Sequence, residues 1–311
     1  MKAGWILSLV AFAGLHGVAV GGALLTPSAI AQVPPPPPGE TLSPGAILAD
    51  SPDSDWRPLE PRNTLYIEFP EGRVIIEMAE GYAPRHVANV RSLAGEGYFL
   101  GGAVTRVQDN FVAQWAQAAS NPRRPIRGEE RLPAEFTQPR SDALAFTPLP
   151  DPDTFAPEVG FSDGFAAARD GDETWLTHCY GVVGVGRETD RDSGGGTELY
   201  AVIGQAPRHL DRNLTVLGRV VQGIELLSSL PRGTADMSFY ATRDEYARFT
   251  NMALAANVPE EERTPLEVLR TDSATWEKLV NHRRWRKDDF YQVPAGRIGV
   301  CNLSVPVRAP Q

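Results

Sequence analysis

The chain has 311 residues, of which 42% are hydrophobic and 22% are charged, a composition typical of a soluble globular protein with a sizeable core. Its 30 basic and 39 acidic residues leave a formal net charge of -9. This acidic balance excludes the basic footprint of a nucleic-acid-binding protein and argues against docking on anionic lipid.

The first 31 residues have the composition of a secretory signal peptide. Lys2 supplies the positive start, residues 5–25 are apolar or small almost throughout, and Ala-Ile-Ala at 29–31 is a small-x-small cleavage site. We therefore predict cleavage after Ala31 and a periplasmic or secreted protein that makes no membrane contact afterwards. An uncleaved membrane anchor stays open as the alternative, because the apolar run is long for a signal peptide.

A proline-rich stretch follows, with five consecutive prolines at residues 34–38. Such a run favours a stiff, extended polyproline conformation. We predict that residues 32–62 form a linker and that the ordered domain begins near Asn63.

The ordered domain is predicted to open with a hairpin and a helix. Apolar and polar residues alternate over 65–69, a Pro-Glu-Gly turn stands at 70–72, and a second strand returns over 73–78. Pro84 occupies a first helical position, and apolar residues at helical spacing predict a helix that ends at Gly95.

The remainder is predicted to consist mainly of short strands. These are expected over residues 104–107, 111–115, 181–186, 199–203, 214–220 and 252–258. A second helix is expected over 223–230, with its apolar residues on one face. Many short strands with two main helices favour a mainly-β fold built on a closed antiparallel barrel.

Two segments stand apart from this pattern. Residues 137–173 are rich in Pro, Asp, Gly and Arg, show little periodicity, and are predicted to be an irregular insertion. Residues 259–311 are predicted to be a C-terminal extension, with a helix that Ser273 caps and that runs to Trp285. The domain between the linker and this extension is thus residues 63–258.

The cysteines and the motif search limit the chemistry. Cys179 and Cys301 would pair in an oxidising compartment, and two buried thiols are the alternative. His178 beside Cys179 resembles a catalytic dyad, but neighbours on a strand point to opposite faces, which favours a structural role. The sequence has no HExxH, no GxSxG and no phosphate-binding loop, so we expect no metal and no activated nucleophile.

The most informative stretch is residues 105–114, Thr-Arg-Val-Gln-Asp-Asn-Phe-Val-Ala-Gln. It resembles the cyclophilin family of peptidyl-prolyl cis–trans isomerases, whose members carry Arg-Val-x-x-x-Phe-x-x-Gln at this place. Gly-Tyr-Phe at 97–99 before it and Leu-Asp at 210–211 after it resemble the family in the same order. The resemblance covers roughly residues 63–258 and implies a closed eight-stranded antiparallel barrel with two capping helices.

The resemblance also implies a mechanism. A prolyl bond resists rotation because amide resonance gives a barrier of ~18–20 kcal/mol, so a catalyst must bind the twisted form better than the planar forms. Twisting returns the lone pair to the proline nitrogen, and Arg106 would donate a hydrogen bond to it. Phe111 would form the floor of an apolar slot for the proline ring, and Gln114 would hold Arg106 or a substrate backbone group. No cofactor is implied, and the expected partners are proline-containing polypeptides.

Matching this chain to the family pattern position by position implies four further substrate-binding residues: Val112, Gly186, Leu210 and Leu217. Two departures from the family pattern lie in the same pocket. Glu198 stands where the family usually has Gln, so it accepts hydrogen bonds without donating them, and its charge could pair with Arg106. Tyr200 stands where the family usually has Phe, which keeps the aromatic wall and adds a hydroxyl.

We therefore predict a peptidyl-prolyl isomerase that acts on X-Pro bonds of exported proteins. Two alternatives stay open. A proline-peptide binding module or chaperone would have kept the pocket but lost the catalytic acceleration of isomerisation. Glu198 favours this alternative, because its charge would neutralise that of Arg106. An envelope scaffold would instead use residues 137–173 and 259–311 as a partner surface.

Overall fold

The computed structural model describes residues 42–118 and 123–311. The predicted signal peptide and the five consecutive prolines lie outside the described residues. Within these residues, 17 β-strands form three antiparallel sheets, and four α-helices accompany them.

The strands are short and follow one another at close intervals. In chain order they are β1 (Trp56–Pro58), β2 (Thr64–Phe69), β3 (Gly72–Met78), β4 (Gly102–Val107), β5 (Val112–Gln117), β6 (Gln138–Pro139), β7 (Thr147–Pro148), β8 (Glu158–Ser162), β9 (Phe165–Asp170), β10 (Glu173–Leu176), β11 (Val182–Val185), β12 (Leu199–Val202), β13 (Val216–Gln222), β14 (Ala247–Arg248), β15 (Asn251–Leu254), β16 (Glu267–Leu269) and β17 (Val307–Arg308). The helices are α1 (Pro44–Ala49), α2 (Pro84–Gly95), α3 (Ile224–Ser228) and α4 (Ala274–Trp285).

The largest sheet curls into a half-barrel of nine strands in the order β14-β4-β5-β12-β11-β13-β3-β2-β15. The predicted closed eight-stranded barrel is therefore wrong. The chain crosses from one edge of the sheet to the other at Phe249 and Thr250. The Phe249 N–H donates to the Gly102 carbonyl and the Thr250 N–H to the Glu68 carbonyl, on opposite edges. The two edge strands consequently pair with different neighbours and not with each other.

The interior of the half-barrel is filled by every second residue of its strands, as strand geometry requires. On β5, Ala113 and Trp115 are fully buried in this core, and on β12 Leu199 and Ala201 join them. Helix α2 contributes its apolar face to the same core. The residues between these positions point to the outer face of the sheet, where the candidate site lies.

The second sheet occupies most of the segment predicted to be irregular. Its five strands have the order β6-β10-β9-β8-β7, so the prediction of an irregular insertion over 137–173 is wrong. Asp163 and Gly164 adopt φ values of 46° and 86°, and this left-handed pair makes the two-residue hairpin between β8 and β9. The Pro, Asp and Gly residues that hide the periodicity lie largely in such turns between short, buried strands.

The third sheet joins the two ends of the described chain, in the order β1-β16-β17. Trp56 pairs with Leu269 and is 5% exposed, so the prediction of an extended linker up to residue 62 is wrong for the part that contains α1 and β1. In the extension, Ser273 caps α4 as predicted, because its Oγ accepts from the Trp276 N–H at 3.1 Å. The Trp276 ring meets Phe161 of the second sheet edge-on, with 4.7 Å between ring centroids.

A disulfide links the extension to the segment between β10 and β11. Cys179 and Cys301 are bonded, with their Cα atoms 5.0 Å apart and a sequence separation of 122. Of the two alternatives for these cysteines, the structure has the paired one. In the part of the chain that the structure describes, no helix has the length and apolarity needed to cross a bilayer.

Candidate active site

Four side-chain positions form a row across the outer face of the half-barrel. Arg106 on β4 pairs with Gln114 on β5, Gln114 with Tyr200 on β12, and Tyr200 with Gly184 on β11. Directly paired residues of antiparallel strands point to the same face. The ladder therefore brings two predicted catalytic residues and one predicted pocket residue side by side.

A β-bulge is what turns Arg106 outward. Val104 pairs with Trp115 and points into the core, whereas Arg106 pairs with Gln114, so Thr105 is an extra residue on β4. Without the bulge, Arg106 would lie two residues after Val104 and would share its inward direction. The bulge thus moves a guanidinium from the apolar core to the outer face.

Arg106 is held from three sides. Its Nη1 donates to Gln114 Oε1 at 2.9 Å, its Nη2 donates to Gln108 Oε1, and its Nε donates to the Met237 carbonyl at 2.7 Å. Three of the five N–H groups of a guanidinium are used in this way, which leaves two for a ligand. Burial lowers the pKa of Arg106 below its usual value and the Glu198 charge opposes this. The group stays cationic at any relevant pH.

Gln114 connects Arg106 to Glu198. Its Oε1 faces Arg106, and its Nε2 donates to Glu198 Oε1, so the two contacts fix the orientation of the amide. Burial raises the pKa of Glu198 above 4.5, and the Gln114 hydrogen bond and the Arg106 charge offset only part of that effect. The link that we expected between Glu198 and Arg106 thus runs through the Gln114 amide.

Gly186, the position predicted to be approached by the substrate backbone, lies against Glu198. Its N–H donates to the Glu198 carbonyl at 2.9 Å. A Cβ atom at Gly186 would lie 3.1 Å from Glu198 Cγ. Glycine therefore keeps the backbone close to the Glu198 side chain without displacing it.

Aromatic and aliphatic groups surround this polar row. The Phe111 ring centroid lies 5.8 Å from Arg106 Cζ, and Phe111 packs partly buried against the apolar cluster that contains Val112 and Tyr200. Leu210 ends a short 3-10 turn and is half-buried. Phe111, Val112 and Tyr200 thus belong to one apolar cluster at the outer face of β5 and β12, whereas Leu210 lies outside that cluster.

Leu217 does not belong to this surface, so its prediction as a pocket wall is wrong. It is fully buried in the core of the half-barrel, whereas its neighbour Val216 belongs to the cluster with Val112 and Tyr200. Successive residues of a strand point to opposite faces. A one-residue error in matching the chain to the family pattern therefore selects a residue on the wrong face.

Several site residues lie outside the sequence predictions. Met237, at a sequence separation of 131 from Arg106, supplies a backbone carbonyl, and no local pattern could indicate it. Phe239, two residues further along the chain, has its ring centroid 5.6 Å from Arg106 Cζ. Gly184 leaves room for Tyr200, and a glycine inside a predicted strand was an available signal of close approach.

Across 42–118 and 123–311, no group of three or more His, Cys, Asp or Glu side chains is arranged to hold a metal ion. The chemistry available at this site consists of a fixed cation, an oriented amide, a carboxylate and an apolar surface.

Comparisons with known proteins place this chain among characterised sequences and folds. A family model described as cyclophilin type peptidyl-prolyl cis-trans isomerase/CLD matches residues 64–248. Proteins named probable peptidyl-prolyl cis-trans isomerase from Brucella suis biovar 1 and Brucella melitensis biotype 1 are 38% identical over 55 residues, which is 18% of this chain. The match spans only 28% of the length of these relatives.

Two solved structures match this chain, and the first resembles its fold. The cyclophilin AquaCyp293 from Hirschia baltica has a TM-score of 0.66 and 24% identity, over 86% of this chain and 97% of that one. A cyclophilin from Cryptosporidium parvum, crystallised in the presence of the dipeptide Ala-Pro, has a TM-score of 0.42 and 11% identity, over 61% of this chain and 98% of that one.

The family model covers more than half of the chain, and the residues it matches include the whole row from Arg106 to Tyr200. The chain belongs to the cyclophilin-type peptidyl-prolyl cis–trans isomerase family.

Proposed function

We propose that this chain catalyses cis–trans isomerisation of X-Pro bonds in exported polypeptides, without a cofactor. The observation that carries the proposal is the Arg106 guanidinium, which Gln108, Gln114 and Met237 hold beside the Phe111 ring. A cation fixed in this way needs no reorganisation when charge develops next to it, which is the condition for electrostatic catalysis.

The reaction needs only selective binding of the twisted amide. In either planar isomer the nitrogen lone pair is delocalised, and the nitrogen accepts hydrogen bonds poorly. At the twisted geometry the lone pair is localised, and one of the two remaining Arg106 N–H groups donates to it. Because this hydrogen bond forms only at the barrier, it accelerates the rotation without tightening ground-state binding.

The apolar residues position the proline ring. Phe111 is partly exposed and presents carbon surface beside Arg106, with the buried Val112 and Tyr200 in the cluster that supports it. Packing of a proline ring against Phe111 would hold one side of the bond while the other side rotates. Gly186 lets the preceding residue of the substrate approach the sheet closely. Proline-containing polypeptides are therefore the substrates that this surface fits.

Export is supported by two features. The amino-terminal residues have the composition of a signal peptide, and the Cys179–Cys301 disulfide suits an oxidising compartment. We expect the mature protein in a cell-envelope fraction to begin at Gln32. Amino-terminal sequencing tests this, and an intact amino terminus in the membrane fraction would support the anchor instead.

A proline-peptide binding module is the second candidate, and one observation favours it. The Gln114 Nε2 already donates to Glu198, so this donor is less available to a substrate carbonyl. A protein with this arrangement would hold a proline peptide while accelerating its exchange weakly.

Substitution of Arg106 separates the two candidates. We expect the wild type to accelerate exchange of an X-Pro tetrapeptide and Arg106→Ala to lose about 10²- to 10³-fold of kcat/KM, the usual effect of removing one transition-state donor. Two-dimensional NMR exchange spectroscopy measures the rate directly. Arg140→Ala, which removes only an exposed ion pair with Glu158, is the matched control and should keep full activity.

A wild type that binds the tetrapeptide but leaves its exchange rate unchanged would overturn the enzyme proposal in favour of the binding module. Equal activity of wild type and Arg106→Ala would overturn the mechanism alone.

A further inference from the structure

The hydroxyl of Tyr200 points away from Arg106. A Cβ atom at Gly184 would lie 2.2 Å from the Tyr200 hydroxyl oxygen, so the phenol ring extends across Gly184. Gln114 lies on the opposite side of Tyr200 in the ladder. The pocket side of Tyr200 therefore presents ring carbon only, and its hydroxyl must find a partner beyond β11.

That partner is His178, which is fully buried between β10 and β11. Its Nε2 lies 2.9 Å from the Tyr200 hydroxyl, and its Nδ1 lies 3.1 Å from Asp211 Oδ1. The same Asp211 oxygen accepts the His178 backbone N–H at 2.8 Å. Because a carboxylate only accepts, Nδ1 donates to Asp211, and Nε2 is the ring atom that accepts a hydrogen bond from the Tyr200 hydroxyl.

Asp211 is also tied to the pocket and to the second sheet. It directly follows Leu210, and its Oδ2 accepts from Arg208 Nε at 2.6 Å. Both terminal nitrogens of Arg208 donate to Asp153, each at 3.1 Å, in the segment between β7 and β8. A buried series of hydrogen bonds thus connects the Tyr200 hydroxyl, through His178, Asp211 and Arg208, to the β7–β8 segment of the second sheet. The turn that carries Leu210 lies along this series.

We propose that His178 is a positioning residue for the proline pocket, which fixes the Tyr200 ring and the Leu210 turn in one relative placement. The proposal rests on the proposed function of this pocket. His178 contacts no substrate in this account. It acts through Tyr200, whose ring is held at its hydroxyl end and pressed against the glycine at 184.

Two substitutions of similar shape each remove one of the two ring contacts of His178 and keep the other. The amide nitrogen of Asn occupies the place of Nδ1, so His178→Asn keeps the bond to Asp211 and loses the bond to Tyr200. The amide of Gln reaches the place of Nε2, so His178→Gln keeps the bond to Tyr200 and loses the ring bond to Asp211. The backbone N–H of residue 178 still donates to Asp211 in this variant, so the link to the Leu210 turn is retained. Tyr200→Phe removes the same hydrogen bond from the other side, with the ring retained.

The readouts are the dissociation constant of an X-Pro tetrapeptide from NMR titration, and kcat and KM from exchange kinetics. We expect His178→Asn and Tyr200→Phe each to raise the dissociation constant and KM about five- to tenfold with kcat within about twofold, while His178→Gln stays near the wild type. The double variant His178→Asn/Tyr200→Phe should be no worse than either single variant, because both remove one interaction.

Two outcomes would overturn the proposal. Unchanged peptide affinity in His178→Asn, with only a lower Tm, would mean that His178 merely stabilises the fold. Equal loss in His178→Gln and His178→Asn would mean that the Tyr200 bond is not the cause. If the wild type itself binds peptide without accelerating exchange, the proposed activity fails, while the dissociation constants still test His178.

Discussion

At the scale of single residues, Glu198 governs how much of the Arg106 charge a substrate meets. The carboxylate is bonded to the Gln114 amide that also holds Arg106. Its negative charge lowers the positive potential at the place where the amide lone pair develops. A neutral side chain of the same shape would keep the hydrogen bond and remove that opposing charge.

Glu198→Gln should therefore raise kcat/KM for an X-Pro tetrapeptide by about three- to tenfold, as expected for removal of a partly screened charge. Exchange kinetics at neutral pH measure the change. Glu188→Gln, a neutralisation at an exposed loop position, is the matched control and should have no effect. A loss of activity in Glu198→Gln would contradict this account and would assign Glu198 a direct contact with substrate.

The same carboxyl makes folding stability depend on pH. Burial raises the pKa of Glu198 in the folded state above its ordinary 4.5, so its contribution to stability is complete below that value and is lost as pH rises through the folded-state pKa. Comparison of urea unfolding for wild type and Glu198→Gln from about pH 4 to pH 7 isolates this group. The stability of the variant relative to wild type should increase with pH.

Sequence predicted the residues that depend on local spacing and missed those that depend on distant pairing. Arg106, Phe111 and Gln114 lie within one nine-residue motif, and the bulge at Thr105 is part of the same stretch. The prediction that Leu217 lines the pocket was wrong because successive residues of a strand point to opposite faces of the sheet. His178 was expected to be structural, and its contact with Tyr200 depends on how β11 and β12 pair, which no local pattern encodes.

At the scale of elements, helix α2 receives its cap from another part of the chain. Its N-cap residue, Ala83, provides no side-chain hydrogen bond. Instead, Glu135 accepts the backbone N–H groups of Arg85 and His86 at 3.1 and 3.0 Å and the His86 ring nitrogen at 2.7 Å. A carboxylate at a helix amino terminus also interacts favourably with the helix dipole.

Glu135→Ala should lower the free energy of unfolding by about 2 kcal/mol, because it leaves two helix N–H groups and a buried imidazole without their acceptor. Urea denaturation measures the loss, and Glu71→Ala, in the exposed turn between β2 and β3, is the control. Burial opposes ionisation of Glu135, but hydrogen bonds from His86 and Arg85 outweigh it and lower the pKa below 4.5. The Glu135 contribution is therefore complete above that value and is lost as pH falls through the folded-state pKa.

Element prediction succeeded where the chain has strong local signals and failed where sheets are assembled from short pieces. Residues 84–95 form α2, whose start is fixed by Pro84, and Ser273 caps α4. The second sheet was missed although Asp163-Gly164 is a strong hairpin signal. Its strands are buried on both faces in places, so the alternation of polar and apolar residues is absent there.

At the scale of the whole molecule, the disulfide constrains the unfolded chain strongly. It joins Cys179 and Cys301 at a sequence separation of 122, and a loop of this length is expected to contribute about 5 kcal/mol through lost chain entropy. Cys179→Ser/Cys301→Ser should show that loss in urea unfolding. Reduced wild type should match the double variant, and equal stability of oxidised wild type and double variant would contradict the expectation.

The pairing of β1 with β16 sets the order in which the molecule can be completed. Trp56 emerges early in synthesis, but its partner Leu269 follows the entire half-barrel and the second sheet. Until then, the apolar outer surface that α4 and the third sheet cover stays open to water. The growing chain therefore carries an unfinished hydrophobic face until β16 has been synthesised. We expect a chaperone that stays bound until then to suppress aggregation more than one that acts only on the nascent half-barrel.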